Sequence, residues 1–351
     1  MRVNMKFFLY PFTIPFAVVI FFRNLLYDYG IFKIKKLNKP VISVGNISMG
    51  GTGKTPIIEM LINYFLKKKK RIAVISRGYK RKSKGPVIVS DGTDLLTSSD
   101  NSGDEPFQIA NKFPTVVVGV DSDRIRIASL MDEKYNIDLF LLDDAFQHRK
   151  IYRDIDILAI NARILPYADH LFPCGARRDI LSSIKRADIS LITKNFNNNY
   201  DEIDRNLNKY ADIPSFYVKY DVVSINNYKR EKFNKEIIKD KKVIIFCGIA
   251  DPNYFRMQVE SLGAVVVETF YYRDHYDFTI KDMNNIFTYS KNNNVDIILT
   301  TEKDFSRLFS KTDSLNNEII EKLYYTCINA KIETKEQVFY KLLDEKLCEK
   351  K

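Results

Sequence analysis

Apolar and polar positions fall into alternating blocks along this chain. Short β-rich runs, "PVISVG", "RIAVISRG", "PVIVSD", "TVVVGV", "DLFLLDD", "DIDILAIN" and "ADISLITK", predict strands. Apolar residues at helical spacing predict helices between them over 57–67, 106–111, 124–135 and 178–187. Such alternation predicts an α/β fold with a mainly parallel sheet and helices on both faces. Over 195–212 the pattern turns polar and Asn-rich, and "SFYVKYDVVSI" then reads as extended hinge strands. A second, smaller α/β unit follows: "KKVIIFCGIADPNYF", a helix to about Leu262, "AVVVETFYY", a helix near 282–290 and "DIILTTEKD". The expected division is an N-terminal hydrophobic segment (1–30), a main domain (31–212), hinge strands (213–235), a C-terminal α/β domain (236–330) and a charged amphipathic tail helix (331–351).

The N-terminal "FFLYPFTIPFAVVIFF" carries no charge, yet it is shorter than the roughly 20 residues of a spanning helix. Pro11 and Pro15 are expected to interrupt its first half. No small-x-small cleavage site follows, which argues against a signal peptide. Two readings remain, a buried core helix and a helix lying in a membrane interface. The aromatic residues flanked by Arg23, Lys33, Lys35 and Lys36 favour the interfacial one.

Composition adjusts this picture modestly. A 351-residue chain with 45% hydrophobic and 13% aromatic residues is globular and long enough for two cores. Its net charge of +11 points to an anionic partner, or to a general lysine bias, and both readings stand. The four cysteines have neither C-x-x-C nor metal-ligand spacing, which fits a reducing compartment and no zinc site.

The chemistry concentrates in "VISVGNISMGGTGKTPIIEMLINYF". A strand runs into a loop, Ser48, Met49, Gly50, Gly51, Thr52 and Gly53, and a helix begins near Lys54 and Thr55. In a P-loop NTPase-like site, backbone N–H groups of such a loop cradle phosphates. The lysine then reaches the β- and γ-phosphates, and the threonine hydroxyl ligates Mg²⁺. Ser48 stands where G-x-x-x-x-G-K-[ST] has its first glycine, but the strand–loop–helix context supports a nucleoside triphosphate site. "DLFLLDDAFQH" supplies the acidic partner, with Asp143 and Asp144 at the carboxyl end of a buried strand, where a metal relieves the repulsion of adjacent carboxylates. Asp104 and Glu105 of "SGDEPFQIA" read equally as helix capping, and His275 of "RDHYDFT" as a packed histidine.

Taken in order, "VGNISMGGTGKTP", "ISRGYKRKSKG", "SGDEPFQIA", "LLDDAFQHRKIYRDIDILAIN", "FPCGARRDILSSIKRAD", "FCGIADPNYF", "RDHYDFT" and "LTTEKDFSRL" resemble the tetraacyldisaccharide 4′-kinase family, the lipid A 4′-kinases of Gram-negative bacteria. The likeness runs from the hydrophobic N-terminus to about Leu308, with Ala145 where the family usually has Gly. The resemblance implies transfer of the γ-phosphoryl of ATP, with Mg²⁺, to the 4′-hydroxyl of tetraacyldisaccharide 1-phosphate, giving lipid IVA at the cytoplasmic face of the inner membrane. It implies Asp104 as the base, His275 as its partner from the second domain, and Lys54 on the phosphates. Thr55, Asp143 and Asp144 fall on the metal side, and Arg77, Glu105, His148, Arg178 and Asp179 on the substrate side. Domain closure is expected to bring Asp104 and His275 into one site and exclude water.

Two rivals belong to other classes. A membrane-associated P-loop ATPase switch of the partitioning type shares the Gly-Gly-x-Gly-Lys-Thr run but has no need of "DHY" and "TEKD". A nucleic-acid-binding ATPase is suggested by "KKKKR" and "KRKSK", which lack interleaved aromatics, so no nucleic acid is expected. No obligate protein partner is evident.

Overall fold

A computed structural model describes residues 9–195, 199–308 and 315–348. Residues 1–8 of the N-terminal segment, one of the two asparagine-rich stretches at 196–198, and the last three residues of the tail lie outside the described ones. The chain divides into two compact units, residues 1–219 with 330–351, and residues 220–329.

The first unit opens with α1 (Tyr10–Asp28), then β1 (Val41–Gly45), α2 (Lys54–Lys67), β2 (Ile72–Ser76) and β3 (Val87–Asp91). It continues through α3 (Ser99–Ser102), α4 (Asp104–Lys112), β4 (Val117–Val120), α5 (Arg124–Lys134) and β5 (Leu139–Asp143). β6 (Ile155–Asn161), β7 (Ile189–Thr193), α6 (Tyr200–Asn208) and β8 (Ser215–Asn227) follow. The strand order is β8-β7-β6-β1-β5-β2-β4-β3, parallel except for the edge strand β3. Every residue of β1, β2, β5, β6 and β7 is buried, as central parallel strands covered on both faces require. Ala73, Ile75, Phe140 and Leu142 face Ile127 and Met131 of α5, and α2 packs on β1 and β5.

Two local expectations are corrected. α1 runs unbroken through both prolines. Pro11 lies in the first turn, where a missing N–H costs nothing, and Pro15 forfeits only the bond back to Pro11. Over 178–187 the chain makes no α-helix but a 3₁₀ segment, Leu181–Arg186. Here the Asp179 carboxylate accepts from the Ile180 N–H (2.9 Å) and the Ser183 hydroxyl (2.7 Å), local bonds that compete with an α-helical start.

β8 carries the chain out of the first unit between Lys219 and Tyr220. The second unit adds β9 (Lys232–Phe233), β10 (Lys242–Cys247), α7 (Pro252–Ser261), β11 (Val265–Tyr271), α8 (Ile280–Asn292), β12 (Ile297–Thr301), α9 (Glu302–Leu308), α10 (Asn317–Lys322) and β13 (Leu323–Ile332). Its strands β11-β10-β12-β13 pair in parallel. The period of two along β10 sends Val243, Ile245 and Cys247 to Phe255 and Val259 of α7, and Ile244 and Phe246 to Met283 and Ile286 of α8. β13 returns the chain to the first unit, which ends in α11 (Glu336–Cys348). There Phe339 and Leu343 are fully buried, and Tyr340 stacks on Tyr64 of α2 at 4.1 Å.

Candidate active site

The carboxyl ends of β1, β5, β6 and β7 converge on the loop before α2. Gly50 (φ +107°) and Gly53 (φ +76°) hold backbone conformations that side chains rarely adopt, and Gly53 caps α2, whose first residue is Lys54. Asn46 donates to the Thr52 hydroxyl (2.8 Å), Thr193 to the Thr52 carbonyl (3.0 Å) and Asn161 to the Gly51 carbonyl (3.4 Å). Ser48 sits in an antiparallel bridge with Arg177, flanked by Met49 N–H to Ala176 O (2.6 Å) and Arg178 N–H to Ile47 O (2.8 Å). This extended pairing needs no left-handed residue, so the loop dispenses with a glycine at its first position.

Asp143 ends β5, and Asp144 follows at φ +50°. The turn separates the two carboxylates. Asp144 pairs with Lys54 (3.4 Å) and takes a bidentate contact from Arg178, which also donates to Asn46. Burial opposes its charge, but Lys54 and Arg178 prevail and hold its carboxyl well below the usual range. Asp143 faces inward, with one oxygen near Ser76 Oγ (3.4 Å) and the other buried without a hydrogen-bond partner. Burial first, then Glu105 and Asp144, push its carboxyl up to about 7. Ala145 is buried in the core beside them, and its φ stays outside the left-handed region that would demand glycine.

Asp104 and Glu105 open α4 behind Gly103, whose φ is +89°. A Cβ on Gly103 would lie 2.9 Å from the Tyr79 carbonyl, so the loop after β2, with Arg77, and the start of α4 are held in backbone contact. His148 is partly buried, and its Nε2 has no hydrogen-bond partner. Burial, then Arg124, pull its pKa down to about 4. Asp179 is buried, and its oxygens are occupied by Asn24 of α1 (3.2 Å), Ser183 (2.7 Å), Arg186 (3.0 Å) and Gln147 (3.4 Å). The structure thus gathers Lys54, Asp143, Asp144, Glu105 and Arg178 at the loop and places Asp179 in an internal network that anchors α1. His275 lies in the second unit.

The model of the family described as tetraacyldisaccharide-1-P 4′-kinase matches residues 5–348. The chain belongs to this kinase family. The tetraacyldisaccharide 4′-kinase of Aquifex aeolicus is 40% identical over 300 residues, covering 86% of this chain and 89% of its own length. That of Flavobacterium johnsoniae is 36% identical over 338 residues, 94% of either chain. The crystal structure of LpxK from Aquifex aeolicus in complex with ATP superposes with a TM-score of 0.76 at 35% identity, covering 98% of this chain and 99% of that one. As a member of the tetraacyldisaccharide 4′-kinase family, the chain is an ATP-dependent kinase of lipid A biosynthesis; its reaction transfers the γ-phosphate of ATP to the 4′-hydroxyl of tetraacyldisaccharide 1-phosphate, giving lipid IVA. A partitioning-type switch is not favoured.

Kinases of this kind use ATP with Mg²⁺. Among the described residues no group of three or more His, Cys, Asp or Glu side chains is arranged to hold a metal ion. Mg²⁺ usually takes only one or two carboxylates and completes its shell with phosphate oxygens and water. The unpaired buried oxygen of Asp143 fits that need.

One charged residue near the acidic pair escaped the sequence reading. Arg124, the first residue of α5, is 6% exposed, and its Nε has no hydrogen-bond partner. Its pKa is lowered by burial and by Arg77, while Asp144, Asp143 and Asp121 oppose the shift, so its charge lies within reach of the acidic pair. The available signal was an arginine at a helix N-terminus, where the macrodipole disfavours a cation.

Proposed function

We propose that the kinase works at the cytoplasmic face of the inner membrane, gripping the triphosphate with the 48–55 loop and meeting its lipid acceptor beside α1. The observation that carries the triphosphate grip is the ion pair between Lys54 and Asp144 beside the loop, next to the unpaired oxygen of Asp143. Lys54 exchanges the Asp144 carboxylate for the phosphates when ATP enters, one anion for another. Thr55 and Asp143 would hold Mg²⁺, with Asp144 beside them. Magnesium bound there would supply charge neutralisation for the transferring phosphoryl group. Arg77, Arg124 and Arg178 add cationic character around the transferred group, where the loose transition state spreads its charge.

Asp104, at the start of α4, orients the 4′-hydroxyl and accepts its proton, a contribution of about 10²–10⁴-fold for a positioned base. Glu105 and His148 face the acceptor; His148 serves as a neutral hydrogen-bonding group, given its depressed pKa. Asp179 acts indirectly, by holding α1 against the segment that carries Arg178. His275, in the second unit, is the remaining catalytic residue of this proposal.

Purified protein incubated with labelled ATP and tetraacyldisaccharide 1-phosphate is expected to yield a bisphosphorylated lipid. Lys54→Ala abolishes the product, and Asp104→Ala retains ATP binding with little turnover. In the Asp104→Ala, His275→Ala double variant, a loss much smaller than the product of the single losses marks one functional unit; simple multiplication of the two would separate them.

A further inference from the structure

The loop in "ISRGYKRKSKG" does more than carry Arg77, for it also sends the Arg81 side chain, only 7% exposed, to the end of β4. There Nη1 donates to the Val120 carbonyl (3.2 Å), while Nη2 donates to the Gly85 carbonyl (2.6 Å), so one planar fork ties the loop to the strand. Asp121 stands 3.9 Å from Nη2 and is fully buried. It takes a bidentate contact from Arg126 (2.6 and 2.9 Å) and the Asp123 N–H (3.3 Å), and its own N–H donates to the Ser76 carbonyl of β2 (3.2 Å). Burial opposes its charge, but Arg126 and the Asp123 N–H prevail and hold the carboxyl below the usual range. Asp121 is thus a fixed negative charge behind the Arg81 guanidinium. The same loop lies backbone against backbone on the chain that leads into α4. Lys82 N–H donates to the Asp100 carbonyl (2.7 Å), and a Cβ on Gly78 would lie 2.8 Å from the Ser102 carbonyl and 2.5 Å from Arg81 Cδ.

α4 begins without a side-chain cap, because its N-cap is Gly103. Glu59 holds this helix at Gln108 and Lys112, one and two turns further on, whereas its first turn rests on the 78–83 loop. The phosphate loop is held separately, by Asn46, Thr193 and Asn161, and shares none of these bonds. We infer that Arg81, backed by Asp121, is a positioning residue for the Asp104 carboxylate, because it anchors the loop on which the start of α4 rests. The inference rests on the reading that Asp104 is the base of phosphoryl transfer. Replacing Arg81 by an apolar side chain buries no bare charge, since Asp121 keeps its bidentate contact with Arg126. The Val120 and Gly85 carbonyls lose their donor, and the loop loses its tie to β4. The effect therefore falls on the placement of Asp104 and not on the grip on the triphosphate.

The test is a double-mutant cycle on the full-length protein between Arg81 and Asp104, read with labelled ATP and tetraacyldisaccharide 1-phosphate. Arg81→Met is expected to lower kcat about 10–100-fold, the cost of displacing a reacting group by up to about 1 Å, at unchanged KM for ATP. Arg81→Lys keeps the charge but lacks the fork that spans both carbonyls, and its kcat should fall between those of Arg81→Met and the wild type. In the Asp104→Ala background, Arg81→Met is expected to cost nothing further, because the group it positions is gone. A loss that multiplies in that background overturns the inference, since the loop would then act through Arg77 or through stability alone. A loss confined to KM for ATP, or full activity in a folded Arg81→Met protein, overturns it as well. Should Arg81→Met fail to fold, Arg81→Lys in both backgrounds decides by the same comparison. Full activity in Asp104→Ala would strike the base reading instead. Amide hydrogen exchange over residues 78–85, expected to be faster in Arg81→Met, then still tests the hold of Arg81 on its loop, and unchanged exchange overturns it.

Discussion

Asp143 and Asp144 are chemically identical neighbours with opposite electrostatics, and the difference comes from one backbone turn. The positive φ at Asp144 aims its carboxylate at Lys54 and Arg178, while Asp143 continues the strand into the interior. Nothing in "LLDDAFQH" distinguishes the two, because the cations that select Asp144 come from positions 54 and 178. His148 shows the same dependence on distant groups, and it makes a pH prediction. An ordinary histidine gains its proton near pH 6.5, whereas burial and the Arg124 charge delay His148 to about 4. Between those values the unfolded chain binds a proton that the native state refuses. The stability tied to this site is thus intact above about pH 6.5 and is lost as pH falls toward 4. His148→Gln should flatten the drop in Tm between pH 7 and pH 5 seen by scanning calorimetry; an unchanged acid limb would show that the histidine is not held neutral.

At the scale of elements, the strand–helix alternation was legible because it depends on local periodicity. Short runs of buried, mostly apolar residues mark β1, β2 and β5, and Ile57, Ile58, Leu61, Ile62 and Phe65 mark α2. The 3₁₀ segment at 181–186 was not legible, since Asp179 is shaped there by Asn24 and Arg186 as well as by its own neighbours. A further element-scale coupling is written in no motif. Glu59, buried on α2 five residues after Lys54, accepts from Lys112 (2.8 Å) and Gln108 (3.3 Å) of α4. The helix that begins with Lys54 therefore grips the helix that begins with Asp104. Glu59→Gln should destabilise the protein by about 1–3 kcal/mol, the cost of weakening a buried charged hydrogen bond. It should also lower kcat more than it raises KM for ATP, because the loop keeps its own bonds to Asn46 and Thr193. Urea melts and steady-state kinetics on the same preparation check both; a pure KM effect would place the coupling elsewhere.

At the scale of the molecule, an exposed apolar surface has to be reconciled with a firmly built protein. Against the expectation of a segment too short to span, α1 is 19 residues long and apolar enough by length and composition to cross a membrane, yet its Ile20, Asn24 and Tyr27 are buried in the first unit. Asn24 bonds Asp179 and Ser183, and Arg149 reaches the Asn24 carbonyl and the Asp28 carboxylate. These polar ties keep that face docked. The remaining circumference exposes Phe12 (66%), Val19 (65%) and Phe22 (55%), an arrangement costly in water and suited to immersion beside lipid headgroups. The net charge of +11 adds attraction to anionic lipids without supplying the insertion. The two contributions separate experimentally. Full burial of a large apolar side chain is worth about 1.5–3 kcal/mol, so Phe12→Ser, Val19→Ser and Phe22→Ser together should weaken co-sedimentation with phosphatidylglycerol vesicles by about 100-fold or more. Their fold should survive, because the docked face is untouched. Added salt should weaken the wild type on anionic vesicles but leave residual binding that the triple variant lacks. KM for the long-chain acceptor should rise in the variant, while turnover of a water-soluble short-chain acceptor should stay at the wild-type level. Equal sedimentation of the two proteins would mean that the exposed face of α1 meets something other than a bilayer.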